Sequence, residues 1–166
     1  MNKFSKRLGI SAAALLAVLA ADRVTKRLAV SVLSGGAKVF IPGVLGWRYA
    51  ENTGAAFSAL SGSGLLLILL TAALIIAAIV WYLRHGDCNR WLAAGVTLIV
   101  AGGLGNLYDR LTLGYVIDFI EVLFVRFAIF NVADVALTLG AVLLGITILW
   151  MPKEWREKKH GDTTGE

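Results

Sequence analysis

The chain has 166 residues, enough for one domain, with 58% hydrophobic and 16% charged residues and a formal net charge of +5. Soluble domains carry roughly 45–50% apolar and about 25% charged residues, so with a mean hydropathy of +0.75 much of this chain must have lipid as its solvent. Disorder, a collagen-like helix and a scaffold of internal disulfides, with Cys88 as the single cysteine, are excluded.

In chain order, four stretches approach the about 20 mostly apolar residues that cross a bilayer core. The first span is expected over residues 8–32, interrupted by Asp22-Arg23. Its opening, with Lys3, Lys6 and Arg7 ahead of an apolar run that ends in small residues, also has the pattern of a cleavable secretory signal. Residues 33–63 follow as a long loop. Within it, 38–42 and 46–50 are short β-prone runs divided by Pro42-Gly43, a turn signal, and Trp47, Tyr49 and Phe57 suit a layer at the membrane surface. Spans at 64–83 and 91–107 carry no charge, and a fourth at 132–151 carries Asp134 near its start. Residues 108–131 make a second long loop, and 152–166 a charged tail. Open-edged sheets do not cross lipid, so the spans are helices. The expected fold is an all-α membrane protein: four transmembrane helices with a small outward-facing β-rich segment lying on the membrane, all in one domain over 1–166.

Nine of the sixteen Lys and Arg lie in 1–7, 84–90 and 152–166, whereas the longer segments 33–63 and 108–131 hold only Lys38, Arg48, Arg110 and Arg126. The positive-inside bias then puts both termini in the cytoplasm and the two long segments outside. Placed between apolar runs, the basic residues orient a membrane protein, and nucleic acid is not expected as a partner. No His-Glu-x-x-His pattern or Cys/His cluster occurs, so no metal and no cofactor is expected.

On this topology Asp22, Thr25, Lys26, Asn52, Asn106, Asp109, Arg110, Asp118, Asn131 and Asp134 all come to one level, the outer interface. An ionisable group near lipid is costly, so several of them at one depth point to a site. Val116-Ile117-Asp118-Phe119 sets a carboxyl among apolar neighbours, which favours its protonated form. Phe130-Asn131-Val132-Ala133-Asp134 puts a second in the first turn of a helix, where the macrodipole favours an anion. Two carboxyls in unlike environments suit hydrolysis by water, one drawing a proton from water while the other holds one near a carbonyl. The spacing leaves a plainer reading open: Asn131 as a helix N-cap with Asp134 in a capping box, and Asp118 as a loop acid. Residues 101–106, rich in glycine, lack the Gly-x-Gly-x-x-Gly spacing of a nucleotide loop and read as a close-packing helix surface. Asp109-Arg110 reads as a local ion pair, with Arg110 alternatively holding Asp22 or a substrate carbonyl. No Gly-x-Ser-x-Gly elbow sets Ser58, Ser61 or Ser63 beside a base.

At these residues the chain resembles the bacterial lipoprotein signal peptidases, also called signal peptidase II. The resemblance covers nearly the whole chain and rests on five motifs in order: Asp22-Arg23-Val24-Thr25-Lys26, Asn52-Thr53-Gly54-Ala55-Ala56-Phe57, Gly102-Gly103-Leu104-Gly105-Asn106-Leu107-Tyr108-Asp109-Arg110, Val116-Ile117-Asp118-Phe119 and Phe130-Asn131-Val132-Ala133-Asp134. It implies an aspartyl endopeptidase of the bacterial inner membrane that cuts prolipoproteins before a diacylglyceryl-modified cysteine, on the periplasmic side. It implies Asp118 and Asp134 as the catalytic pair. Asp22, Lys26, Asn52, Gly54, Asn106, Arg110 and Asn131 would bind or orient the substrate or the pair. Lipid-modified prolipoproteins, membrane lipid and globomycin-type peptide inhibitors are the implied partners. It also implies that the first span is retained, since Asp22 and Lys26 belong to a motif of the mature family. The link of 119–133 between the two acids is short for the family, and Val135 stands where a serine is common.

A rival of another class is a small proton-coupled transporter, which also uses four spans and buried acids. It would set an acid near the middle of a span, not at one interface.

Overall fold

The computed structural model describes residues 3–54, 64–84 and 89–150. Four helices among them are long and apolar enough to cross a membrane: α1 (Lys3–Leu33), α2 (Gly64–Arg84), α3 (Arg90–Leu113) and α4 (Val132–Leu149). Three strands accompany them: β1 (Lys38–Ile41), β2 (Leu45–Asn52) and β3 (Val116–Val122). They form one antiparallel sheet in the order β1-β2-β3. At 31 residues α1 is about 46 Å long, against a hydrocarbon core of about 30 Å.

Helix ends follow local chemistry. The Asn89 side chain accepts from the Trp91 backbone N–H and caps the start of α3. Gly114, at φ 84°, ends α3 by returning its N–H to the Arg110 carbonyl, a left-handed cap that glycine adopts without strain. Asn131 opens α4 with a full capping box: its side chain accepts from the Asp134 N–H, and the Asp134 side chain accepts from the Asn131 N–H.

Two sequence expectations are corrected here. The third span was expected to stop at residue 107, but α3 runs on to Leu113. Asn106 and Asp109 do not break the helix because both are buried and satisfied inside the protein. Asp118 was placed in a loop, but it lies in β3, paired with Ala50 of β2. Val116 to Phe119 are all buried. A strand buried on both faces shows no alternation of polar and apolar residues, which is the signal that would have marked it. Met151, Phe57, Ser58, Ser61 and Ser63 lie outside the described residues.

α3 is the central helix, with most of its membrane window buried, whereas only 6% of the α1 and α2 windows is buried. Glycines make that centre possible. A Cβ on Gly102 would press on the Ala133 carbonyl and Leu137, and one on Gly140 would lie 2.8 Å from the Gly95 carbonyl. α3 and α4 therefore touch backbone to backbone, the small-residue packing used where lipid supplies no hydrophobic drive between helices. Gly105 has the same function toward α1, leaving room for the Asp22 carboxylate. A second cluster, Ala29, Leu33 and Phe119 with Trp47 and Tyr49 beside it, seats the sheet on the end of α1.

Candidate active site

Asp118 comes from β3 and Asp134 from the third position of α4, and Asn131 joins them. The Asn131 Nδ2 donates to Asp118 Oδ1 at 2.6 Å, with weaker contacts to the Asn106 Oδ1 (3.1 Å) and the Ile117 carbonyl (3.3 Å). Asn131 Oδ1 accepts from the Asp134 N–H at 2.9 Å, and Asp134 Oδ2 accepts from the Asn131 N–H at 3.1 Å. One residue thus caps α4 and fixes both carboxyls. The capping reading is met in full, and the same asparagine reaches Asp118 with its Nδ2.

The other carboxylate oxygens are held by two further asparagines. Asn106 Nδ2 donates to Asp134 Oδ1 at 2.7 Å, and Asn52 Nδ2 donates to Asp118 Oδ2 at 2.9 Å. Asn52 is itself held by Gly54, whose N–H donates to Asn52 Oδ1 at 2.8 Å. Gly54 has φ 88°, a backbone conformation that glycine favours. Its part is to turn the chain after β2 so that Asn52 faces β3.

Beneath the asparagines lies a knot of full charges. Lys26 is 1% exposed, and its ammonium meets Asp22 Oδ2 at 2.9 Å, Asp109 Oδ2 at 2.7 Å and Asn106 Oδ1 at 3.1 Å. Three donors find three acceptors, which exhausts the group. Arg23 also bridges Asp22 and Asp109 and donates to the Gly105 carbonyl, while its guanidinium stacks 4.5 Å from the Tyr108 ring. The acids reach outward in turn. Asp22 Oδ1 accepts from the Ala133 N–H at 3.2 Å, one of the donors left open in the first turn of α4. Asp109 Oδ2 accepts from the Ile117 N–H at 3.4 Å. The knot therefore ties α1, α3, β3 and α4 together directly behind the two carboxyls. Among the described residues, no buried side-chain nitrogen or oxygen lacks a hydrogen-bond partner.

Asp118 is 1% exposed. Burial pushes its pKa up to about 6; the bond from Asn52 opposes the rise, the neighbouring charge of Asp134 adds to it, and Asn131 and Lys26 oppose it. A carboxyl that changes protonation near neutral pH, hydrogen-bonded through one amide to a second carboxyl, can pass a proton to or from water.

The expected local pair Asp109–Arg110 does not form. Asp109 is bound by Arg23 and Lys26, and Asp22 is held by the same two cations, not by Arg110. Neighbours in a helix diverge by about 100°, so Asp109 faces α1 while Arg110 faces elsewhere. Arg110 is half-buried and interacts electrostatically with Asp134. Sequence reasoning sets Asp109 at the level of the site but pairs it with Arg110, and gives Arg23 no part. The signal was present in helical spacing: Gly105, Asn106 and Asp109 share one face of α3, opposite Asp22 and Lys26, which are four apart on α1. Among the described residues no three His, Cys, Asp or Glu side chains converge to hold a metal ion.

Comparison with known proteins agrees with this architecture. The family model described as signal peptidase II matches residues 14–150. The lipoprotein signal peptidase of Streptococcus agalactiae serotype Ia is 42% identical over 125 residues, covering 75% of this chain and 77% of its own. That of Streptococcus pyogenes serotype M6 is 41% identical over 149 residues, covering 89% of this chain and 94% of its own. A bacterial membrane enzyme solved by the in meso method at 1.9 Å resolution superposes with a TM-score of 0.80 at 32% identity, over 87% of this chain and 95% of that one. With four membrane-length helices, a three-stranded sheet and a family match over most of its length, this chain is a multi-pass membrane protein that belongs to the signal peptidase II family.

Proposed function

We propose that the chain is a single-domain aspartyl endopeptidase, spanning 1–166, that removes the signal peptide from lipid-modified prolipoproteins by cutting before the diacylglyceryl cysteine. Asp118 and Asp134 share one proton. The ionised carboxyl takes a proton from a water molecule whose oxygen attacks the scissile carbonyl carbon, while the protonated one donates to the carbonyl oxygen. Collapse breaks the C–N bond as the leaving nitrogen takes a proton back from the pair. Neutral amide donors suit this exchange, because they favour the ionised carboxyl without adding the full positive charge that would fix it as an anion. Asn52, Asn106 and Asn131 orient the pair. Gly54 sets Asn52, Arg110 lies beside Asp134 to hold a substrate carbonyl, and Asp22 and Lys26 brace the group from behind.

The observation that carries the reading is the single asparagine, Asn131, bonded to both carboxyls in a chain of this family. The distribution of Lys and Arg supports an inner-membrane orientation with both termini cytoplasmic and the carboxyls on the periplasmic side, where a lipid-anchored cleavage site would lie. On that orientation the sheet rests on the membrane surface, with Val39, Phe40, Phe124 and Phe127 exposed. Globomycin-type peptides would inhibit by occupying the space around the pair. The transporter alternative has nothing in its favour: the two acids belong to a strand and to the first turn of a helix, not to the middle of a span.

The test is cleavage of a lipidated prolipoprotein by purified Asp118→Asn and Asp134→Asn, followed by gel shift. General acid–base groups contribute typically about 10²–10⁴-fold, so each variant is expected to lose at least that much activity and to keep its thermal stability. Full activity in either variant overturns the assignment.

A further inference from the structure

α1 and α3 are drawn together at the carboxyl end of the bundle by Gly105 and the charge knot. At the opposite end they part. There a cleft of about 580 Å³ opens between the N-terminal halves of the two helices, lined by Ile10, Ser11, Ala14 and Leu98 among others. The small side chains Ala14, Ala93 and Ala94 leave the space. On one side, Ser11 Oγ lies 3.0 Å from the Tyr82 hydroxyl of α2, so the cleft has a wall there, while Ile10, 63% exposed, faces the lipid. Three basic residues line the cleft, Lys6 and Arg7 from α1 and Arg90, whose guanidinium stacks on Trp91, from α3.

We propose that this cleft is a binding site for one anionic phospholipid of the bilayer, its phosphate among Lys6, Arg7 and Arg90 and an acyl chain along Ile10, Ala14 and Leu98. The argument from charge is complementarity. Among the residues that line the cleft every charged one is basic, and basic side chains next to a bilayer attract anionic headgroups. The argument from shape is depth. Arg7 to Ala14 is about 10 Å along a helix axis, which fits the upper part of one leaflet of about 15 Å. Orienting the chain in the membrane would need basic residues at the helix ends but no apolar cleft beneath them. The two together select a headgroup and a chain at once. On the proposed orientation the lipid belongs to the cytoplasmic leaflet, so it would brace α1 against α3 far from the carboxyls.

The full-length protein in a non-ionic detergent is titrated with phosphatidylglycerol or with phosphatidylcholine of the same acyl chains, and bound lipid is counted by native mass spectrometry. One phosphatidylglycerol is expected to be retained in preference to phosphatidylcholine. Each basic side chain near a lipid surface strengthens binding about fivefold, so Lys6→Gln/Arg7→Gln/Arg90→Gln is expected to weaken it on the order of a hundredfold. Ala14→Phe, which narrows the cleft and keeps all three cations, should also weaken lipid retention while leaving the melting temperature of the lipid-free protein unchanged. Equal retention of the two lipids by the unmodified protein overturns the proposal without any variant. So does unchanged binding in Ala14→Phe, which would reduce the basic residues to diffuse attraction, or displacement of the lipid by inorganic phosphate, which would leave the acyl chain no part.

Discussion

Asp22 and Asp109 sit against Lys26 and Arg23, whereas Asp118 and Asp134, one hydrogen-bond layer away, sit against asparagines. All four acids belong to one polar cluster, yet their neighbours divide them. Acids paired with full cations in a buried setting are bound as anions, and releasing them would strand a charge. Acids held by neutral amides are fixed less firmly, because an N–H donor favours the anion without adding a full positive charge. Asn106 stands on the boundary, its Oδ1 facing the Lys26 ammonium and its Nδ2 facing Asp134. The charged layer gives rigidity and the amide layer leaves the chemistry open.

The comparison breaks most visibly at Lys26. Lys26→Met leaves Asp22 and Asp109 buried with Arg23 as their remaining cation, and removing one partner from a buried ion pair costs about 3–5 kcal/mol. Denaturant unfolding in detergent should show a loss of that size. Lys26 also opposes the rise in the Asp118 pKa, so in any folded fraction the alkaline limb of the pH–rate profile should move to higher pH. A variant as stable as the parent would mean that the knot does not brace the site.

A smaller effect is expected at Asn131. Asn131→Ala removes the N-cap of α4, which costs about 0.5–2 kcal/mol, and with it the donor to Asp118. Melting temperature should fall modestly while cleavage falls much further, because both carboxyls lose their common support. Equal losses in the two measurements would make Asn131 a cap only.

The smallest effect is the pH dependence of stability carried by Asp118. Its folded pKa, about 6, lies above the unfolded value of about 3.9, so the folded state binds the proton more tightly. That contribution to stability is complete below the unfolded value and disappears as pH rises through about 6. Thermal unfolding followed across that window should show the decline, and Asp118→Asn should flatten it. An unchanged slope in the variant would assign the titration elsewhere.

Some of this was open to reading along the chain. Four apolar runs announce four helices because the length of hydrocarbon to be crossed is fixed, and Pro42-Gly43 announces the turn between β1 and β2. The small residues around Gly102 announce close packing, since nothing else in a membrane helix uses them so densely. β3 stayed hidden because a strand buried on both faces carries no alternation. Arg110 stands next to Asp109 in the sequence, but adjacency in sequence is not adjacency in space on a helix.

The amino-acid sequence alone determined the membrane as solvent, the number of spans and which side chains were too costly to lie in lipid without partners, since all three follow from composition and local period. Which acid met a cation and which met an amide was decided only by tertiary packing. That choice depends on the close approach of α1 and α4 to α3 at Gly105 and Gly102, and on the pairing that carries Asp118 beside Ala50. Both are long-range contacts, with no local pattern to encode them.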